Sequence, residues 1–218
     1  MDMSLKAIME KRINKTIGNL QNNKMDAYYA KTKEDAVKLV DSLIGDGETV
    51  SFGGSMSLYE SGVIDHLRNS KKYNLLDRDV PGLTPQQRRQ IFIQAFDCDT
   101  YLASSNAVTE AGELYNVDGM GNRVAVLTFG PKSVILVVGY NKIVKDLNAA
   151  ADRVKNISAP ANAMRLDCQT PCKVLGGCAN CRSDGRICCT YVIHAQQREK
   201  AVSYTHLNSK AVYHSQFS

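Results

Sequence analysis

Apolar positions near the start of the chain recur every three to four places, at Leu5, Ile8, Met9, Ile13, Ile17 and Leu20. That spacing predicts an amphipathic helix over residues 4–20, with Ser4 as its N-cap. Thr32-Lys-Glu-Asp35 has the form of a capping box. It opens a second helix with Ala36, Val37, Val40 and Leu43 on its buried face, ended by Gly45-Asp-Gly47. Thr49–Phe52 predicts a short strand, residues 57–68 a third helix, 85–96 a charged helix, and Thr100–Ala103 another strand. Residues 113–117 and 123–129 flank Asp118-Gly-Met-Gly-Asn122, which predicts a β-hairpin with a glycine-rich turn. Residues 133–138 are almost all β-branched and apolar, as in a buried central strand. Ile143, Val144, Leu147, Ala150, Ala151, Val154 and Ile157 trace a further amphipathic helix, closed by Ala159-Pro160. Strands alternating with helices predict an α/β fold with a mainly parallel sheet.

Composition narrows the class of protein. A chain of 218 residues with 44% hydrophobic and 22% charged positions can bury one sizeable core, and it is neither collagen-like nor disordered. The net charge of +5 is spread over many elements, without the dense basic stripe of a nucleic-acid binder. No apolar run approaches the roughly 18 residues of a membrane span, and the N-terminus has no apolar signal-peptide region, so a cytoplasmic protein is expected. Residues 1–165 read as one domain, 166–198 as a cysteine-rich lobe and 199–218 as an atypical tail.

Two glycine-bearing junctions carry candidate chemistry. Phe52-Gly-Gly-Ser-Met-Ser57 and Val138-Gly-Tyr-Asn-Lys142 each read as the end of a strand running into a helix, where backbone N–H groups can approach an anion. In open α/β sheets both loops would lie beyond the carboxyl ends of the strands, where ligands sit. A small carboxylate or phosphate is the expected ligand, with Gly53, Gly54, Ser55, Gly139 and Asn141 around it and the ammonium of Lys142 as a charge partner. The structural alternative is that the glycines make tight turns and Asn141 caps a helix. In the polar stretch that follows Ser105, Glu110 is a candidate general base and Arg123 a bidentate carboxylate clamp, against a plain solvated hairpin. Gly119-x-Gly121 is not a dinucleotide fingerprint on this reading, because a strand is expected after it and Val124 holds the third glycine position.

Six of the seven cysteines fall at 168, 172, 178, 181, 188 and 189. Cys178-Ala-Asn-Cys181 can aim two thiolates at one metal, with Cys172 and Cys188 in loop reach and Cys168 and Cys189 as alternates. Four thiolates suit an iron–sulfur cluster, expected as 4Fe–4S, or zinc; spacing does not separate them. A redox-active thiol pair is the other reading of this lobe, and its neighbouring arginines would lower thiol pKa values.

The stretches SFGGSMSLYESG, ASSNAVTEAGELYNVDGMGNRVAVLTFG, VGYNKIVKDLNAAADRVKN, APANAMRLDCQTPC and GGCANCRSDGRIC carry a resemblance. The chain resembles the lactate-utilisation (LUD-domain) family, in a branch bearing a cysteine motif. The resemblance implies a Rossmann-like three-layer sandwich, similar to sugar-phosphate isomerase and CoA-transferase folds. It also implies a part in oxidising lactate or a related 2-hydroxy acid beside an iron–sulfur partner subunit. Gly53, Gly54, Ser55 and Glu60 match its first motif; Asn106, Thr109, Glu110, Asn116, Asp118, Asn122 and Arg123 its second; Asn141 and Lys142 its third. The competing expectation is a non-catalytic accessory or metabolite-sensing subunit with a structural zinc site. A phosphosugar or CoA-ester enzyme rests on fold analogy alone. Past about Arg198 the sequence turns polar with no sustained period, unlike the family's expected final apolar strand. That is the pattern of a frameshift or adaptor read-through, and it predicts a missing strand and an open sheet edge.

Overall fold

The computed structural model describes residues 3–198 and, as backbone, the strand 203–208. Its main sheet has six strands, all parallel, in the order β1 (Asp26–Ala30), β10 (Ser203–Asn208), β7 (Ser133–Gly139), β4 (Thr100–Ala103), β2 (Thr49–Phe52) and β3 (Asn74–Leu76). The open edge expected from the atypical tail is not there. Ser203–Asn208 occupies an interior slot, pairing with Asp26–Ala30 on one side and Val134–Gly139 on the other. Backbone hydrogen bonding to two neighbours suffices for this, so an apolar run is not required. Residues 199–202 and 209–218, the rest of that tail, lie outside the described residues.

Successive residues of the central strand point to opposite faces. Ile135 and Val137 of β7, with Leu102 of β4, pack against α2 (Lys33–Leu43) and α4 (Val63–Asn69) through Val40, Ile64 and Leu67. Leu136 and Val138, with Tyr101 and Ala103, face the other way, onto Ile13 and Leu20 of α1 (Met3–Asn22). Each fully buried aliphatic side chain stabilises the fold by about 1.5–3 kcal/mol. The first turns of α1 project from this core, with Leu5 and Ile8 exposed. The expected capping box is present at α2, where Asp35 N–H donates to Thr32 Oγ1 (3.0 Å) and Thr32 N–H to Asp35 (3.1 Å). The expected third helix is two, α3 (Met56–Glu60) and α4, because Gly62 turns left-handed at φ 81° between them. The charged helix α5 (Pro85–Gln94) ends in a 3₁₀ turn.

A second sheet of four short strands covers the α1 side, in the order β8 (Ile143–Val144), β5 (Ala107–Thr109), β6 (Leu114–Asp118) and β9 (Thr190–His194). The chain of the cysteine lobe thus returns into the fold, with β9 antiparallel to β6. The expected hairpin does not form. Residues after Gly121 make helix α6 (Asn122–Thr128), and β6 takes β5 and β9 as its partners. Asp118 decides this: its Oδ2 accepts the Val124 N–H (3.0 Å), filling the role of an N-cap for a run rich in β-branched residues. A helix therefore does follow Gly119-x-Gly121. The dinucleotide reading still fails, since a buried valine, Val124, stands where the third glycine would allow close approach.

The last predicted helix also differs. After β8, α7 (Leu147–Arg153) is capped by Asp146, whose Oδ1 accepts from Ala149 N–H (2.9 Å), so Asn141 is not its cap. Helical chain does not close at Ala159-Pro160: a π-helical turn, Val154–Ser158, leads into α8 (Ala159–Arg165) and, beyond a loop, α9 (Pro171–Leu175) follows. Pro160 is the second residue of α8, directly after the π-helical turn.

Candidate functional site

A cavity of about 370 Å³ lies beyond the carboxyl ends of β2, β4, β6 and β7. Gly54 and Ser55 reach it from the β2 loop, Glu60 from the end of α3, and Asn106 and Asp118 from the second sheet. Arg123 of α6, and Asn141 and Lys142 on a 3₁₀ turn after β7, complete the predicted catalytic and ligand-binding residues that it gathers. The turn means that Lys142 is presented by a strand end, without the helix N-terminus that the sequence suggested at this junction.

Lys142 is the chemical centre of the cavity. Its Nζ donates to Ser104 Oγ at 2.8 Å, and among the described residues no carboxylate forms an ion pair with it. Burial, then the guanidinium groups of Arg153 and Arg123, lower its pKa to about 7; Glu60 opposes them. The residue as a whole is partly exposed, through the cavity, while its ammonium head is ringed by protein. Beside it, the buried Oδ1 of Asn141 and the buried Oγ of Ser55 have no hydrogen-bond partner among the described residues. Leaving such atoms unpaired costs about 1–3 kcal/mol each.

Arg123 cannot clamp a ligand as expected, because all five of its N–H groups are engaged. Nε donates to Asp118 Oδ1 (3.0 Å), one terminal nitrogen to Ser104 O and Asn116 Oδ1 (both 2.8 Å), and the other to Asn106 Oδ1 (2.9 Å) and Val117 O (3.0 Å). It is a hub that shapes the wall. Gly53 is needed for this packing: a Cβ there would stand 2.8 Å from Tyr101 Oη and 3.0 Å from Arg123 Cγ.

Glu110 is not brought to the site. Arg12 Nε (2.7 Å) and Lys15 Nζ (3.0 Å) of α1 hold its carboxylate, and Lys15 first, then Arg12, pull its pKa below the ordinary value. Asn19 Nδ2 also donates to Glu110 O (2.7 Å), so this turn docks α1 and has no general-base geometry. Thr109 accompanies it, donating to Glu113 (2.9 Å). Asn116 is buried behind Arg123, while Asn122 and Gly139 also lie outside the cavity wall.

Ser104, Arg153, Ser158 and Arg165 are among the contributors that escaped sequence reasoning. Ser104 follows β4 directly, so the rule that ligands gather at strand carboxyl ends could have found it. Arg153 bridges three parts of the wall, donating to Asn141 O (3.1 Å), Asn106 O (2.7 Å) and Ser158 Oγ (2.6 Å). The π turn that positions Ser158 gives no local sequence signal.

Cys188 and Ile187 line one side of the cavity. Among the described residues, no group of three or more His, Cys, Asp or Glu side chains is placed to hold a metal ion. Cys172, Cys178, Cys181 and Cys188 thus do not converge as a tetrathiolate set, nor do Cys168 or Cys189 complete one. All are free thiols, and the residues as placed do not fit an iron–sulfur cluster or zinc. Cys181 has its pKa lowered, chiefly by hydrogen bonding from Ser183.

A profile of the LUD domain matches residues 13–202. The chain belongs to the LUD-domain family. Among solved structures, the LUD-domain chain is similar to a DUF162 family protein from Deinococcus radiodurans, with a TM-score of 0.51 and 11% identity over 93% of this chain and 98% of that one. That likeness shows the shared α/β fold. A ribose 5-phosphate isomerase from Plasmodium falciparum matches 52% of each chain at 17% identity and a TM-score of 0.34. No curated protein sequence matches. No helix of the described residues is long and apolar enough to cross a membrane.

Proposed function

We propose that the cavity of this LUD-domain protein binds a small 2-hydroxy acid such as lactate, and that the protein takes part in its oxidation beside an electron-accepting partner subunit. The single observation that carries this reading is the set of unmatched groups around Lys142. Among the described residues its ammonium has no carboxylate ion-pair partner, and the Asn141 Oδ1 has no donor. A carboxylate meets the first need, and a hydroxyl on the adjacent carbon meets the second. Ser55 Oγ adds a group that can donate or accept. Lys142 holds the carboxylate in its ammonium form, and Glu110, tied to Arg12 and Lys15, does not reach the hydroxyl as a base.

Calorimetric titration of the full chain with L-lactate, propionate and inorganic phosphate tests the binding part. Lactate should bind about tenfold more tightly than propionate, the effect of roughly one hydrogen bond that closes an otherwise unpaired buried acceptor. Binding of phosphate with no response to either carboxylate would overturn the reading. Lactate-dependent reduction of an artificial acceptor tests turnover. Saturable binding without any reduction moves the assignment to a metabolite-sensing subunit.

A further inference from the structure

Lys142 differs from the other lysines among the described residues in the shift that its surroundings impose on its nitrogen. Ser104 serves two cations at once. Its Oγ accepts from Lys142 Nζ (2.8 Å), and its backbone carbonyl accepts from Arg123 (2.8 Å), so one residue holds both cations. On the other side, Arg153 is bound to the carbonyl of Asn141, the residue preceding the lysine (3.1 Å). Lys142 thus lines the cavity together with two guanidinium groups, Arg123 and Arg153, whose positive charge acts on its amine. Neither can swing away, because Arg123 has every N–H engaged and Arg153 is tied to three separate segments. Like charges held beside an amine favour its neutral form at neutral pH, and the neutral form is the nucleophile.

We propose that Lys142 is a covalent site whose Nζ condenses with the carbonyl carbon of a 2-oxo acid held in this cavity, forming a Schiff base. The inference rests on the carboxylate-binding reading and adds a second substrate class, the 2-oxo acid that corresponds to the hydroxy acid. The neutral amine forms the N–C bond to give a carbinolamine. The former carbonyl oxygen then leaves as water with the two protons that nitrogen has given up, and the C=N bond remains. No electrons are exchanged, and one water is released for each imine formed. Ser104 Oγ, already hydrogen-bonded to Nζ, holds the amine in place while the carboxylate is attracted to the cationic wall.

The test is reductive trapping of the intact chain. Pyruvate and cyanoborohydride are added near neutral pH, followed by whole-protein mass measurement and peptide mapping. The expected result is one reduced adduct per chain, on Lys142, formed more slowly when L-lactate competes and absent from Lys142→Arg. Exposed lysines such as Lys132 and Lys15 serve as internal controls in the wild-type protein, so the assignment does not depend on the variant folding. Adducts spread over surface lysines, or no adduct on Lys142 although pyruvate binds calorimetrically, would overturn the covalent site and leave carboxylate binding intact. If pyruvate and lactate neither bind nor trap, the underlying reading falls as well.

Discussion

Replacing Arg123 by methionine separates a scaffold from a ligand clamp. The substitution keeps most of the apolar stem and removes a guanidinium that makes five hydrogen bonds and an ion pair with Asp118 at 2.9 Å. Asp118, only 12% exposed at its side chain, would keep the Val124 N–H but lose its counter-charge. Asn106 Oδ1 would keep the Val117 N–H (2.9 Å), whereas Ser104 O, Val117 O and Asn116 Oδ1 would lose this donor. Breaking a buried pair from one side costs about 3–5 kcal/mol, a large part of the ~5–15 kcal/mol that holds a domain together. In a chain of this size that lowers Tm by roughly 6–20 °C. Arg123→Lys, which keeps the charge but not the planar fork, should fall between wild type and Arg123→Met. Urea titration and thermal scans of the three proteins give the comparison. If Arg123→Met keeps wild-type stability within about 0.5 kcal/mol and loses lactate binding, the guanidinium faces the ligand and the hub assignment is wrong.

Other outcomes follow from the same geometry. Lactate affinity should fall as pH rises through about 7, because the free Lys142 ammonium deprotonates there; a flat profile from pH 6 to 9 would count against Lys142 as the anion partner. Stability has the opposite slope. With a folded pKa of about 7, below its ordinary value, the unfolded chain binds more protons from there up to the usual lysine range, so this group makes the fold more stable as pH rises through that window. Lys142→Met should therefore raise Tm most at pH 6–7 and least near pH 10, which paired thermal scans would show. Glu110→Gln should cost under about 2 kcal/mol in urea titration and leave lactate binding unchanged. Because the Glu110 pKa is lowered, its contribution is present above the ordinary glutamate pKa and is lost as pH falls through the folded value. Gly112→Ala meets both a φ of +85° and the backbone of Asn19 and Leu20 at 2.8 Å, so a loss of more than about 2 kcal/mol is expected and α1 should become more susceptible to proteolysis.

Much of the main layer was legible in the chain because local pattern and tertiary demand agree there. Val40 and Ala36 sit on the predicted buried face of α2, Thr32 and Asp35 form its capping box, and the apolar run of β7 is the buried centre of the sheet. Three-residue strands such as β3 and β5 leave too short a period to read, and β10 has no apolar run at all.

The candidate site divides along the same line. Local sequence determined that Gly54, Ser55, Asn141 and Lys142 follow strand ends, and strand ends in a parallel sheet gather on one side, so these residues meet in the cavity. Only the tertiary structure decided the rest, because a polar residue's role depends on which partners reach it from elsewhere in the chain. Asp118 turns a strand-like run into α6, and Asn106, Asn116 and Ser104 use up the donors of Arg123. Arg12 and Lys15, more than ninety residues away in sequence, claim Glu110 for the docking of α1. Lys142 alone of the three expected catalytic side chains has no ion-pair partner among the described residues, and that is a property of the space around it.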